Sequence, residues 1–251
     1  MPIPIRQIIL LLCLLTVAPL AMAQSAPTSA SPLSASVDQL RQQYTKSFPV
    51  HSQLFNGPEY VDYARRYPNN IGHQFFLLPE PATGSVFYND HYFPNLQLVY
   101  DIVLEQVVLQ QPGSPLRLRL VNEKVRSFSL ADHHFIRIEA DSSSGAVIKT
   151  GFYEVLVDSA VQVVAKRTKQ QKDRIYEGKT RLEFTPADKL FLRKEGNYYA
   201  ANSRSAVTRL FADQGKEVQK YIRANNLKFR KGTRETDIVQ LTRFYNGLSS
   251  H

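Results

Sequence analysis

The chain has 251 residues, a formal net charge of +9 at pH 7 and a single cysteine, Cys13. One cysteine excludes an intramolecular disulfide and any metal or redox site that needs several thiolates. The charge is uneven, because residues 24–160 carry 10 basic and 13 acidic side chains, whereas residues 161–251 carry 20 and 9. The C-terminal part is therefore strongly basic and favours anionic partners.

The first 23 residues have the pattern of a secretory signal peptide. Arg6 supplies a positive charge, an apolar run follows over residues 8–20, and Ala21 and Ala23 place small residues where signal peptidase requires them. We predict cleavage between Ala23 and Gln24, which leaves a mature chain without cysteine. A transmembrane anchor is the alternative, but a span needs roughly 20 apolar residues and this run is shorter.

Export limits the partners of the basic half. A lipoprotein signal at Cys13 is disfavoured, because the larger Leu12 stands where a small residue is expected. We expect a periplasmic or cell-surface protein with no transmembrane span after cleavage, no cofactor and an unassigned oligomeric state. An exported basic surface meets anionic lipid, polysaccharide or an envelope protein rather than nucleic acid, unless its charge serves solubility alone.

The mature chain begins with a segment unsuited to folding. Residues 24–36 are small and polar with two prolines, which predicts a disordered tether. A short helix over residues 37–46 is predicted next, from Val37, Leu40 and Tyr44 on one stripe. We expect residues 37–251 to form a single α+β domain.

Residues 52–100 hold 11 of the 27 aromatic side chains, separated by turn-forming residues. Aromatic residues at this density are typical of a β-sheet core. Tyr88 and Tyr92 are alternatively candidates for stacking on a sugar or contacting an apolar ligand.

The central part of the chain predicts an antiparallel sheet. Apolar and polar residues alternate in several runs between residues 96 and 183, as they do in strands with one face in water. Short breaks separate the runs, so we expect hairpin connections and eight to ten strands over residues 70–200. A sheet of that size must curl around its core or be covered, which predicts a curved meander or half-barrel.

The C-terminal residues 203–248 predict helices that pack on this sheet. Ser203 or Ser205 can cap a short helix, and residues 214–225 place Val218 and Ile222 on one apolar stripe. A last helix is predicted from about residue 233 to Asn246, where Asn246-Gly247 is read as a stop signal.

Asp132 and His134 are the candidate ligands for a metal site or a general base. Neighbouring side chains of a strand point to opposite faces, so His133 and His134 cannot share one ion. The closely spaced ligands by which zinc sites are recognised are missing, which favours histidines that form local hydrogen bonds. Gly178-Lys179-Thr180 resembles the end of a phosphate-binding loop, but Asp173 stands where that loop needs glycine.

A second candidate is the basic segment from Lys166 to Arg174, which predicts a hairpin tip. Its five positive charges suit an anionic surface, and the alternative is a solvated loop. These residues are Lys166, Arg167, Lys169, Lys172 and Arg174.

Four stretches of the chain are similar to a group of exported hypothetical proteins of Bacteroidota-type bacteria, whose function is unknown. They are residues 54–63 (LFNGPEYVDY), 72–76 (GHQFF), 151–156 (GFYEVL) and 241–246 (LTRFYN). The resemblance covers nearly the whole mature chain. It implies a periplasmic or outer-envelope setting and carries over no catalytic or binding residue.

These patterns favour a non-enzymatic exported protein that binds another envelope component. The alternative is a periplasmic carrier that holds a lipid or other apolar ligand inside the curved sheet. An unrecognised enzyme remains open, because converging carboxylates leave no signature in the sequence. The concave side of the sheet discriminates between the first two: a lined cavity favours the carrier, and a filled core favours the binding protein.

Overall fold

The computed structural model describes residues 50–67, 69–140 and 147–248. The predicted signal peptide, tether and first helix lie outside this part. The described residues belong to one compact unit that begins at Val50. Its strands are β1 Ala82–Tyr88, β2 His91–Asp101, β3 Gln106–Gln110, β4 Arg117–Arg119, β5 Val125–Leu130, β6 His133–Ile138, β7 Gly151–Val157, β8 Gln162–Lys166, β9 Lys169–Tyr176, β10 Lys179–Pro186, β11 Lys189–Lys194 and β12 Asn197–Ala200.

Three α-helices follow the strands. Short 3-10 turns lie before β1, between β4 and β5, and between the first two α-helices. The helices are α1 Arg204–Leu210, α2 Gly215–Ala224 and α3 Arg234–Leu248. The 3-10 turns are Val50–Asn56, Tyr63–Arg66, Asn122–Lys124 and Ala212–Gln214.

Ten of the twelve strands form one antiparallel sheet in the order β12-β11-β8-β7-β6-β5-β1-β2-β3-β4. The order departs from a simple meander, because β1 lies between β2 and β5. The chain also leaves the sheet after β8, forms the separate two-stranded ribbon β9-β10, and returns with β11. The prediction of an α+β fold with an antiparallel sheet and packed C-terminal helices is confirmed.

The sheet is strongly curled. Tyr100 on β2 and Phe152 on β7 are separated by four strand spacings, which would be roughly 19 Å in a flat sheet. Their ring centroids are only 6.1 Å apart. The two strands therefore face each other across the concave side.

Aromatic side chains fill this part of the concave side. Phe128 and Phe135 stack with centroids 4.6 Å apart, and Tyr100 and Phe152 pack edge-on against Phe128 at 5.1 and 5.3 Å. Each of the four side chains is at most 1% exposed. The space that a carrier would keep for its ligand is occupied here by the protein itself.

The three helices cover the β8 and β11 end of the sheet. Val163 and Leu192 are completely buried against helix residues such as Phe211 and Leu241. On α2, the buried Val218 and Ile222 lie on one stripe, as predicted from their spacing.

The helix boundaries agree with the sequence patterns at all but one end. Ser203 caps α1, and its side chain accepts a hydrogen bond from the backbone N–H of Ala206 at 3.3 Å. The predicted stop at Asn246 is wrong, because α3 continues to Leu248. Asn246 is buried, and its amide bonds the backbone of Val161.

Candidate binding surface

The ribbon β9-β10 is a hairpin outside the main sheet. Its strands pair without a register shift from Lys169 with Pro186 to Tyr176 with Lys179. Glu177 and Gly178 form the two-residue turn with φ of 47° and 72°. Positive φ at both turn residues matches the right-handed twist of the strands, and glycine adopts it without strain. Gly178 of the Gly178-Lys179-Thr180 motif is therefore a hairpin-turn residue, and Lys179 and Thr180 begin β10.

One face of the ribbon is anchored at its base. Leu182 and Phe184 are 1% and 6% exposed, and they pack with Ala64. The backbone of Ile71 adds hydrogen bonds to β10: its N–H donates to Leu182 O at 2.8 Å, and its C=O accepts from Phe184 N at 2.9 Å. The outer edge of β10 is thus paired, while among the described residues β9 pairs with β10 alone.

The end of the ribbon beyond this anchor lies in solvent. Residues 171–180 are all exposed, without interruption. This part of the hairpin is covered by none of the other elements that the structure describes. The ribbon adds no strand to the main sheet, so its outer half contributes little to the core.

The opposite face of the ribbon is basic. Alternation along the strands places Lys172 and Arg174 of β9 beside Lys179 and Arg181 of β10, with Glu183 as the one acidic residue of that set. Arg174 Nε donates to Glu183 Oε2 at 2.8 Å, and this hydrogen bond lowers the pKa of Glu183. The face keeps an excess of positive charge, because one carboxylate offsets only one of four cations.

Two apolar side chains are exposed at the end of β9, beside the turn that the exposed Glu177 forms with Gly178. Ile175 is 83% exposed and Tyr176 is 52% exposed. The guanidinium of Arg181 lies 4.6 Å from the centre of the Tyr176 ring, which is a cation–π contact. Neighbouring residues of a strand point to opposite faces, so Tyr176 projects from the basic face and Ile175 from the opposite face, and both side chains lie in solvent.

The predicted basic hairpin tip from Lys166 to Arg174 is wrong in its placement. Lys166 ends β8, and Lys169 begins β9, so the segment lies at the base of the ribbon and along β9. Lys166 Nζ pairs with Glu105 Oε1, and Lys169 Nζ donates to the backbone oxygens of His73 and Phe75 at 2.7 and 2.6 Å. Burial lowers the pKa of both lysines. Lys172 and Arg174 alone of the five belong to the exposed basic face.

Arg167 lies at the centre of an ion-pair network. Its guanidinium binds both carboxylate oxygens of Glu235 on α3, at 2.7 and 2.9 Å, and also Asp188 and Glu154. Burial alone would lower the pKa of Arg167, but these acidic partners outweigh burial and raise it. Arg167 thus joins strand β7 and helix α3 and is not available to a partner.

Asp132 and His134 are not brought together with other ligands. Both are exposed, and His134 lies opposite Ser129 in the β5-β6 pair. The neighbouring His133 instead pairs through Nδ1 with Glu154, which is 3% exposed. Within the described ranges, no group of three or more histidine, aspartate or glutamate side chains is placed to hold a metal ion.

The two tyrosine candidates have different positions. Tyr88 is 3% exposed and belongs to the core, as the core interpretation of the aromatic cluster expects. Tyr92, at the start of β2, is 63% exposed. The pair therefore does not form a common stacking face.

Sequence reasoning missed the tip residues Ile175 and Tyr176 and the second half of the basic face, Lys179 and Arg181. The signal was present: a glycine at a two-residue turn between alternating strands predicts a hairpin centred on residues 177–178. The Arg167 network left no such signal, because its partners are far apart in sequence and meet through the fold.

No family model, curated protein or solved structure matches this chain. No helix in the described part of the chain is long and apolar enough to cross a membrane.

Proposed function

We propose that this protein is a non-enzymatic component of the bacterial cell envelope that binds another envelope component through the basic face of the ribbon β9-β10. The observation that carries the proposal is the exposed outer half of the ribbon, residues 171–180. Its charged and apolar side chains have no role in the core, and a long exposed hairpin that does not serve folding is suited to contact. The signal-peptide pattern and the resemblance to exported proteins support a periplasmic or cell-surface location.

The filled interior favours this proposal over a lipid carrier. A carrier in which the curled sheet encloses its ligand needs a cavity lined by apolar side chains. The four aromatic rings around Phe128 occupy that place, and each is at most 1% exposed. A groove open to solvent beside Phe55, Leu96 and Pro112 offers an apolar ligand a place to bind outside this filled interior.

Charge-neutral variants of the ribbon test the proposal in the native host. The full chain with Lys172, Arg174, Lys179 and Arg181 changed to Gln is compared with wild type by fractionating cells into soluble and envelope fractions. We expect the wild type in the envelope fraction and the ribbon variant in the soluble fraction. Lys172, Arg174 and Lys179 are exposed and Arg181 is half-buried on a ribbon outside the main sheet, so circular dichroism should show the same fold for both proteins.

A matched control separates the ribbon from the basic helices. It carries Gln at four exposed basic positions of the C-terminal region and loses the same charge; these are Lys216, Lys220, Arg223 and Lys228. We expect this control to stay with the envelope. Equal retention of wild type and ribbon variant would overturn the proposal.

A further inference from the structure

The ribbon tip combines two features that packing does not explain. Ile175 is the most exposed large hydrophobic side chain among the described residues, at 83%, and Tyr176 beside it is 52% exposed. Exposed apolar groups at the end of a projecting hairpin are free to enter a phase other than water. Tyrosine also favours the boundary between water and lipid, where its ring is buried and its hydroxyl is hydrated.

The basic residues lie level with Ile175 and Tyr176 or behind them along the ribbon. In the ribbon register Arg174 is opposite Arg181, and Lys179 is opposite Tyr176. Arg174 and Arg181 are thus two positions from Tyr176 and Lys179 along their strands. Lys172 lies two further positions back on β9. Two exposed apolar side chains beside a group of cations suit the surface of an anionic bilayer, where acyl chains lie below and phosphates above. The exposed carboxylate of Glu177 at the turn keeps this end of the ribbon at the depth of the headgroups.

We propose that the ribbon docks on an anionic lipid bilayer, with Ile175 and Tyr176 in the headgroup region and the four basic side chains on lipid phosphates. This inference rests on the proposed function and names its partner class. Lys172, Arg174, Lys179 and Arg181 supply the charge complementarity. The anchored base of the ribbon, held by Leu182 and Phe184, lets the tip project while the core stays intact.

The free edge of β9 offers a different contact, the addition of a strand from a partner protein. Leu182 O and Phe184 N point outward from β10, so by the same alternation Gln171, Asp173 and Ile175 present their backbone groups outward from β9. Charged side chains along an edge strand oppose such pairing, and β9 carries Lys172, Asp173 and Arg174 in succession. Strand addition would also leave the exposure of Ile175 and Tyr176 unexplained. Binding to a lipid surface explains both these apolar side chains and the basic face.

The protein contains no tryptophan, which provides a clean optical test. Ile175→Trp places a single fluorophore at the tip, and Tyr92→Trp places one at another exposed site, on β2. Each purified mature protein is titrated with vesicles of phosphatidylcholine, alone or mixed with phosphatidylglycerol. We expect a blue shift for the tip reporter with the anionic vesicles only, and no shift for the control reporter. Absence of a shift at the tip would overturn the proposal, as would equal shifts at both sites.

Vesicle sedimentation without a reporter gives the second readout. Each lost cation should weaken binding by about fivefold, so the ribbon variant with four Gln substitutions should remain in the supernatant. Ile175→Asp should weaken binding by roughly tenfold or more, while the helix variant with the same charge loss should bind like wild type. Binding that ignores anionic lipid or the ribbon substitutions would overturn the proposal.

The lipid inference and the proposed function can fail separately. If purified protein does not bind anionic vesicles but its retention in the cell envelope still depends on the basic face, the lipid inference is wrong and the ribbon binds an envelope protein or polysaccharide instead. If envelope retention is also independent of the basic face, the proposed function is wrong as well.

Discussion

Asn246 on α3 forms two hydrogen bonds with the backbone of Val161, the residue just before β8. Its Nδ2 donates to Val161 O at 2.9 Å, and its Oδ1 accepts from Val161 N at 2.9 Å. Both residues are buried. The side-chain amide thus takes the place of a neighbouring strand and ties the last helix to the sheet.

Replacing Asn246 by Leu should destabilise the protein although the volume is similar. Two buried backbone groups would lose their partner, which costs about 1–3 kcal/mol each. Urea unfolding should show the loss, while Thr236→Ala, at an exposed position of the same helix, should stay within about 0.5 kcal/mol of wild type. Equal midpoints for Asn246→Leu and wild type would contradict this role.

The Asn246 bond also shows where sequence reasoning fails. The Asn-Gly pair has the composition of a helix end, and local propensity cannot reveal that Val161, 85 residues earlier in sequence, requires the amide. The sheet, the α2 stripe and the Ser203 cap were predictable because they depend on short periods and neighbouring residues. The placement of the basic segment could not be predicted. Arg167 and Lys169 bind partners that are distant in sequence and come close only in the folded protein.

Arg167 should be far more important for stability than its surface-like sequence context suggests. Arg167→Met leaves the buried Glu154 without its guanidinium partner, which is expected to cost about 3–5 kcal/mol. Adding Glu154→Gln to that variant should recover part of the loss, since the uncompensated charge is removed. As a control, Arg174→Met on the exposed face should leave stability unchanged. A double mutant no more stable than Arg167→Met alone would contradict the ion-pair account.

Asp101 should give an unusual pH dependence. Burial raises the pKa of this carboxyl, although hydrogen bonds from Leu104, Tyr60 and Val103 act in the opposite direction. A group whose folded pKa exceeds its unfolded value, here about 3.8, contributes stability that is fully present below that value and is lost as the pH rises through the folded pKa. Between pH 7 and pH 4, wild type should therefore gain stability relative to Asp101→Asn.

Urea unfolding of both proteins at several pH values between 4 and 7 measures this difference directly. The Asn variant keeps an oxygen that can accept the two backbone hydrogen bonds from Val103 and Leu104 but does not titrate. The free energies of unfolding of wild type and Asp101→Asn are compared at each pH. If their difference stays constant, or favours wild type more at pH 7, the pKa of Asp101 is not raised.

The ribbon should detach from its anchor when Leu182 is truncated. Leu182→Ala removes buried contacts at the ribbon base, at a cost of about 2 kcal/mol or more. Hydrogen exchange should then accelerate at the amides of Ile71 and Phe184, which form the edge bonds of the anchor. Ile175→Ala at the exposed tip is the control and should leave both amides protected. Unchanged exchange in Leu182→Ala would mean that the anchor does not depend on this side chain.

The central claim is that the protein makes its contacts on the outside of a filled fold. The most direct test is the mass of the mature chain, purified from its native host, recorded under native conditions and again after denaturation. The filled interior around Phe128 and Phe135 predicts the same polypeptide mass in both spectra, or a native adduct that is absent from the ribbon variant with four Gln substitutions. A stoichiometric adduct of lipid size that persists in the ribbon variant and is lost on denaturation would contradict the claim and establish a carrier.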